Sequence, residues 1–325
     1  MEKIKKSRIL DKSIELPTAP GYFYFAQQQQ VMFVSYSSNL QRAITAYFSQ
    51  NPEDKNIMQL VSLTDTIGYA TSADLFGAFA QSRWLLASEQ PEFNQMLQPY
   101  SDFAYLAVDF HNPPFFKMVE NTQEEYFYLG PFENRFLVLD YLDLLNQLEK
   151  LPNCPPDKYP CQLLKSDDCV GSCLQDNPQK TAMILQNYIF PNPELIQKWE
   201  ARRQDLMDDL QFAAAELIRK QLRTLESYQQ RLRFLFVSKD LNLDFEYEEL
   251  AFQIKQGLIS KIKRAGKEMD FPLRDLEFRS NEFLALEKDN LAEAYLIYRQ
   301  VQKLKPELIE ELYQKNIKIL RERLQ

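Results

Sequence analysis

The stretch 16–40, LPTAPGYFYFAQQQQVMFVSYSSNL, decides the fold of the N-terminal part of this chain. It contains two runs of aromatic and β-branched residues, 21–25 and 31–36, which are the residue types that strands favour. A polar loop, 26–30, separates the two runs. The pattern therefore predicts a β-hairpin that places Phe23 and Phe33 on adjacent strands, and we expect both rings to face the helix that follows.

The sequence that follows predicts an alternation of helices and strands. Helical spacing of apolar residues predicts a helix over 39–50, with Ser38 as its N-cap. A third strand is expected near 66–70. Thr71 and Asp74 together resemble a capping box, which predicts a helix from there to about residue 88. Two strands within 105–119, joined by a turn at 111–114, and a helix over 132–151 complete this half.

The C-terminal half shows mostly helical patterns. The segments 194–208 and 211–230 predict an antiparallel helical hairpin. Before this hairpin we predict a helix over 177–188. After it we predict a strand over 232–237, a helix over 250–263, and two final helices over 281–304 and 306–324. The fold class is therefore α+β, with a small mixed β-sheet domain at 14–100, a β-hairpin and helix connector at 101–150, a cysteine segment at 151–176, a helical hairpin at 193–231 and a mainly helical region at 232–325.

All four cysteines of the chain fall between residues 154 and 173, as Cys154, Cys161, Cys169 and Cys173. Four clustered thiolates match the number that zinc or an iron–sulfur cluster requires. The spacing lacks the CxxC pair of common zinc folds, so packing of small apolar residues is an equal alternative. Disulfides are a third interpretation, although nothing else in the chain indicates an oxidising compartment.

Composition favours an acidic protein of the cytoplasm. The net charge is −8, and the 325 residues contain no long apolar run and no apolar segment after the basic N-terminus, so neither a membrane span nor a secretory signal is expected. Between residues 16 and 104 only Arg42, Lys55 and Arg83 are basic, whereas seven residues are acidic. This balance weighs against a broad surface for nucleic acid.

Several short motifs occur in a consistent order along the chain. They are LPTAPG at 16–21, Asn39-Leu40 before the first helix, PEFN at 91–94 after the second, and GPF at 130–132 before a third. Together they resemble the GIY-YIG nuclease domain of the UvrC excinuclease family, whose shorter members are the Cho-type proteins. The cysteine segment and residues 210–222 resemble two further parts of that family, so the resemblance covers about residues 14–230.

The resemblance implies a nuclease site in which polar residues have been replaced. In the family, two strand tyrosines, an arginine and a metal-binding glutamate surround the scissile phosphate. The matching positions here are Phe23, Phe33, Ala43 and Ser82, and only a further family tyrosine, Tyr47, is retained. The site is therefore predicted to be degenerate, with no catalytic residue assigned, and Mg²⁺ is expected only if the nuclease is active.

The resemblance also implies a cofactor and a partner. At the four cysteines it favours a [4Fe–4S] cluster, with zinc as the alternative. The helical hairpin corresponds to the element by which UvrC binds UvrB, and it implies a UvrB-like partner at Phe212, Arg219 and Leu222. DNA binding is expected to be weak because of the acidic charge.

From this we hypothesise a UvrC/Cho-like protein that acts in DNA repair as an interaction or regulatory module. One alternative is a divergent metal-dependent endonuclease that uses displaced residues such as Tyr36, Arg42, Tyr47 and Glu89. A second alternative is an acidic scaffold protein unrelated to DNA.

Overall fold

The computed structural model describes residues 1–11, 13–49, 54–97, 100, 102–112, 114–123, 125–151, 169, 171, 178–271 and 282–324. The chain divides into two compact units, each formed by two segments. Unit 1 comprises Met1–Pro99 and Leu241–Arg274, and unit 2 comprises Tyr100–Asp240 and Asp275–Gln325.

The elements alternate along the first half of the chain. In order they are β1 (Glu2–Lys5), α1 (Lys6–Leu10), β2 (Gly21–Gln27), β3 (Gln30–Ser37), α2 (Leu40–Ser49), α3 (Lys55–Leu63), β4 (Thr66–Thr71), α4 (Leu75–Glu89), α5 (Glu92–Met96), β5 (Ala104–Val108), β6 (Phe116–Val119), β7 (Phe127–Phe132) and α6 (Arg135–Glu149).

The second half begins with helices and then contains a group of short strands. The elements are α7 (Pro178–Ile189), α8 (Pro193–Asp208), α9 (Phe212–Ser238), β8 (Leu243–Tyr247), β9 (Leu250–Lys255), β10 (Leu258–Arg264), β11 (Lys267–Asp270), β12 (Leu284–Ala285), a 3-10 turn at Lys288–Asn290, α10 (Leu291–Leu304) and α11 (Pro306–Arg323).

The predicted N-terminal hairpin is confirmed as β2 and β3, which belong to a sheet of order β1-β4-β2-β3. The prediction of a mixed sheet is wrong, because every pair in this sheet is antiparallel. The sheet also has an edge strand that the sequence did not reveal: β1 pairs with β4, and Ile4 of β1 is buried in the core. A strand of four residues between lysines is too short to show alternation.

Helices cover both faces of this sheet. Leu40, Ile44 and Tyr47 of α2 pack on one face, and Leu85 and Leu86 of α4 pack on the other. Helix α3 was not predicted. The predicted start of α4 needs a correction, because Thr71 ends β4 and Asp74 caps the helix by accepting a hydrogen bond from the Gly77 backbone N–H at 2.9 Å.

Unit 1 contains a second antiparallel sheet of order β11-β10-β9-β8. Its apolar face packs on α4, where the Phe76 ring lies 5.8 Å from Phe245 and 5.7 Å from Phe252. The first half of α4 is therefore buried between two sheets. The prediction of a helix over 250–263 is wrong, and so is the description of 232–325 as mainly helical over residues 243–270. The short alternation in LAFQIK and LISKIK fits strands that are buried on one face.

Unit 2 is built on a sheet of order β12-β7-β5-β6 and on the long helix α9. The two predicted strands within 105–119 are confirmed as β5 and β6, and β7 adds a strand that was not predicted. The predicted strand over 232–237 is wrong, because these residues continue α9. Residues 234–238 are all buried, and a short apolar run buried on all sides looks the same in a helix and in a strand.

None of the helices among the described residues combines the length and the apolar composition that crossing a membrane requires.

Candidate functional site

The position of the predicted nuclease site is occupied by a cluster of aromatic rings. Phe23 on β2 and Phe33 on β3 lie with their ring centroids 6.5 Å apart, and Tyr47 on α2 lies 6.2 Å from Phe23 and 5.7 Å from Phe33. Phe25 completes the cluster at 5.1 Å from Tyr47. The prediction that the two phenylalanines lie on adjacent strands and face the first helix is confirmed.

This cluster belongs to the hydrophobic core of unit 1. The exposed fraction is 1% for Phe23 and 6% for Phe33, and Ala43 is a partly buried residue packed against the same core. Burial raises the pKa of the Tyr47 hydroxyl above its ordinary value, so this group stays protonated at neutral pH. The arrangement offers packed rings rather than polar groups directed at a ligand.

Ser82 occupies the position at which the resemblance predicts a glutamate, and it lies in the buried half of α4. Its exposed fraction is 1%, and its hydroxyl donates a hydrogen bond to the Phe79 carbonyl of the same helix at 2.7 Å. The neighbouring residues from Phe76 to Gln81 are also buried. A side chain at this position therefore points into packed protein.

The displaced residues of the alternative nuclease site have different surroundings. The Tyr36 ring packs against Phe79 of α4 at 5.4 Å, whereas Tyr47 packs on the phenylalanines of β2 and β3. Arg42 is exposed on α2, and Glu89 is the exposed last residue of α4. The structure thus places Tyr36 and Tyr47 in separate aromatic contacts rather than in one polar group.

A residue that the sequence motif contained but that we did not single out is Asn94, on α5. Its side chain accepts a hydrogen bond from the Val34 backbone N–H at 2.8 Å and donates one to the Val34 carbonyl at 2.7 Å. Because β3 is the last strand of its sheet, Asn94 pairs the backbone of this edge where a further strand would otherwise pair. Its position after Phe93, a buried anchor, was the available signal.

The cysteine prediction falls mostly outside the described residues, since these include neither Cys154 nor Cys161 nor Cys173. Cys169 is described: its exposed fraction is 7%, and its Sγ accepts a hydrogen bond from the Gly171 backbone N–H at 3.3 Å. Within the described part of the chain, no three His, Cys, Asp or Glu side chains are grouped so that they could hold a metal ion.

The predicted hairpin is formed by α8 and the first half of α9, and its predicted partner-binding residues differ in exposure. Phe212, at the start of α9, is 57% exposed, whereas Leu222 is 6% exposed. Arg219 is paired with Glu216, one turn earlier on the same helix. Four apolar side chains at the turn between α8 and α9 and in the first turns of α9 are exposed, and we call this set the tip patch: Met207, Leu210, Phe212 and Leu217.

Most of the chain is similar in sequence to curated proteins. UvrABC system protein C of Ligilactobacillus salivarius is 23% identical over 253 residues, which is 75% of this chain and 42% of that protein. The protein of the same name from Methanococcus maripaludis is 24% identical over 264 residues, or 78% of this chain and 47% of that protein. The chain is UvrC-like. It spans less than half the length of these relatives, and no family model matches it.

Among solved structures, the UvrC-like chain is similar to the GIY-YIG N-terminal endonuclease domain of UvrC from Thermotoga maritima, determined with magnesium as its catalytic divalent cation. The identity is 19%, the match covers 27% of this chain and 98% of that domain, and the TM-score is 0.25.

The residues of the UvrC-like chain do not fit a divalent cation at the family position. Magnesium prefers carboxylate oxygens and bound water in octahedral geometry. Here the position of the anchoring carboxylate holds Ser82, whose hydroxyl is hydrogen-bonded within its own helix and buried. The other positions that the resemblance assigns to this site carry Phe23, Phe33 and Ala43, which have no oxygen in their side chains.

Proposed function

We propose that this UvrC-like protein works in nucleotide excision repair as an interaction or regulatory module and that its GIY-YIG-like domain has lost the nuclease chemistry. One observation carries the proposal: the family's catalytic positions form part of a dry aromatic core. Phe23, Phe33 and Tyr47 contact one another there, with Ala43 packed alongside.

The chemistry of phosphodiester cleavage supports this proposal. The reaction needs a group that activates water and positive charge that stabilises the developing phosphate charge. Burial raises the pKa of the retained Tyr47 hydroxyl, so the group stays protonated and cannot accept a proton from water, and Arg42 is exposed next to the position Ala43. The loss of the carboxylate and the guanidinium removes charge stabilisation that is worth orders of magnitude in rate.

The hairpin of α8 and α9 supports a partner-binding role. Leu222 and Leu225 are buried and hold α9 in place, so they contribute to packing within the chain rather than to the binding of a partner. The tip patch, in contrast, presents four apolar side chains to solvent around the start of α9. Several exposed apolar side chains near one hairpin turn indicate a candidate binding surface. We therefore assign the contact with a UvrB-like protein to the tip patch, with Phe212 as its aromatic anchor, and to Arg219, which follows two turns later on α9.

The cysteines keep the role that the resemblance implies. We propose that Cys154, Cys161, Cys169 and Cys173 bind a [4Fe–4S] cluster, with zinc as the alternative metal. The burial of Cys169 is compatible with either metal and with simple packing. Anaerobic purification followed by iron and zinc analysis separates the three cases, since packed cysteines without a metal yield colourless protein with neither element.

Catalysis is tested with nicking assays on damaged and undamaged duplexes in Mg²⁺ or Mn²⁺. We expect no metal-dependent cleavage by the purified chain. Cleavage that is abolished by Tyr47→Phe or Glu89→Gln would contradict the proposal in favour of a divergent endonuclease.

Partner binding is tested by titrating the chain with a UvrB-like protein. Phe212→Ala is expected to weaken binding by at least about tenfold, as for an exposed aromatic anchor. Phe136→Ala is the matched control, because Phe136 is also an exposed phenylalanine on a helix of unit 2, with 70% exposure. A chain that binds neither a UvrB-like protein nor DNA at low salt would leave the acidic scaffold as the remaining interpretation.

A further inference from the structure

The second sheet of unit 1, β8 to β11, has two chemically different faces. One face is apolar and packs on α4 through Phe245 and Phe252. In an antiparallel sheet, directly paired residues have their side chains on the same face. The pairing therefore places two rows of side chains on the other face. The first row is Asp244, Gln253, Lys261 and Asp270, and the second row is Glu246, Ala251, Lys263 and Glu268.

Both rows show the same order of charges from strand to strand. Strand β8 carries two carboxylates, β9 carries the uncharged Ala251 and Gln253, β10 carries two lysines, and β11 carries two further carboxylates. The lysines bind β11: Lys261 pairs with Glu268 and with Asp270 at 3.3 Å, and Lys263 pairs with Glu268 at 3.0 Å. Lys263 nevertheless keeps 58% of its side chain exposed.

A trough of about 390 Å³ runs over β9 between the carboxylates of β8 and the lysines of β10. Its floor is formed at Ala251 and Gln253, and Asp244 and Glu246 line one wall. These two acidic residues are exposed. Neighbouring strands lie about 4.8 Å apart, so the two charged walls are separated by about 10 Å.

The order of charges across this outer face is complementary to itself under a two-fold rotation. A two-fold axis that runs along β9, midway between two facing sheets, places β8 of each copy over β10 of the other. Glu246 then faces the Lys263 position of the second copy, and Asp244 faces the Lys261 position. The small Ala251 lies at the axis, where two backbones can approach. We propose that the outer face of the β8–β11 sheet is a homodimer interface, in which each copy pairs its β8 carboxylates with the β10 lysines of the other.

A second copy suits this face better than nucleic acid does. A phosphate backbone placed over the lysines of β10 would also meet the carboxylates of β8 and β11, which lie on both sides of them. A symmetric contact uses the same patch on both protomers and so requires only that the patch be complementary to itself. The face is polar and spans four short strands, so we expect weak association that falls as salt rises.

The test uses the full chain and measures its mass by sedimentation and by light scattering across a concentration series. A reversible dimer is expected at low salt, with a lower dimer fraction at high salt. Glu246→Lys and Lys263→Glu are each expected to weaken the dimer by at least about tenfold, because each turns two attractive contacts per dimer into repulsive ones. Glu226→Lys, an exposed position on α9, is the matched control and should leave the dimer unchanged.

Mixing the two charge-reversed variants gives the most specific test of the proposed pairing. A heterodimer of Glu246→Lys with Lys263→Glu has an opposite-charge pair at both of these contacts, so an equimolar mixture should associate again although neither variant does so alone. If Lys263→Glu unfolds because it loses its bridge to Glu268, Asp244→Lys and Lys261→Glu provide a second pair with the same logic. A chain that stays monomeric at low salt, or folded variants that do not recover on mixing, would overturn the proposal.

Discussion

Two regions that the sequence resemblance assigns to a nuclease site and to a partner-binding hairpin differ in exposure. At the nuclease position, Phe33 is 6% exposed and contacts other rings. At the hairpin tip, Phe212 is 57% exposed. The same residue type therefore stabilises the fold in one region and is available for binding in the other.

The most severe test introduces, at position 82, the glutamate that the resemblance predicts there. Ser82→Glu should lower the free energy of unfolding by upwards of about 4 kcal/mol, because it adds volume and an uncompensated charge to the buried half of α4. Urea unfolding followed by circular dichroism measures the change.

Ser88→Glu is the matched control, because Ser88 also donates a hydrogen bond within α4, to the Leu85 carbonyl, but is exposed. It should change stability by no more than about 0.5 kcal/mol. Similar stability of the two variants would mean that position 82 is open to solvent and would reopen the question of a metal site.

The comparison is sharpened by removing the same ring from both regions. Phe33→Ala should cost about 3 kcal/mol of unfolding free energy, since it leaves a cavity among Phe23, Phe25 and Tyr47. Phe212→Ala should cost about 0.5 kcal/mol or less, because its ring lies largely in solvent. Equal losses in thermal or urea unfolding would show that the tip patch is covered within the chain itself.

A further expected effect is on the pH dependence of stability, and it concerns the opposite, buried end of α9. Burial lowers the pKa of Lys239 to about 7, against the opposing influence of Glu282, Glu287 and Asp240, and its Nζ donates a hydrogen bond to the Glu282 carbonyl at 2.6 Å. Between pH 7 and about 10 the unfolded chain holds a proton on this lysine that the folded chain has released. The contribution of Lys239 to stability therefore rises with pH across that window.

Lys239→Met should flatten this part of the pH profile in unfolding experiments at constant ionic strength. Lys318→Met, at an exposed position of α11, should retain the wild-type slope. A slope that is identical in all three proteins would mean that Lys239 keeps its proton in the folded state.

The local patterns predicted elements well where residue type or apolar spacing is distinctive. The hairpin of β2 and β3 is rich in aromatic and β-branched residues, and α2 buries Leu40 and Ile44 at helical spacing. Prediction failed at residues 232–237, which are apolar almost throughout and form the buried end of a helix rather than a strand. It also failed at 250–263, where two short strands and a tight turn at Gln256 and Gly257 produce apolar spacings that also fit a helix.

The residues at Phe23, Phe33, Ala43 and Ser82, where the resemblance predicts catalytic side chains, are known without coordinates. The aromatic hairpin likewise follows from residue type alone. The burial of Ser82 in α4, and the exposure of Phe212 on the same helix as the buried Leu222, became visible only in the folded chain. The physical reason is that these properties depend on contacts between segments distant in sequence: β9 packs on α4 from more than 150 residues away, and no local pattern encodes which face of a helix such a partner will cover.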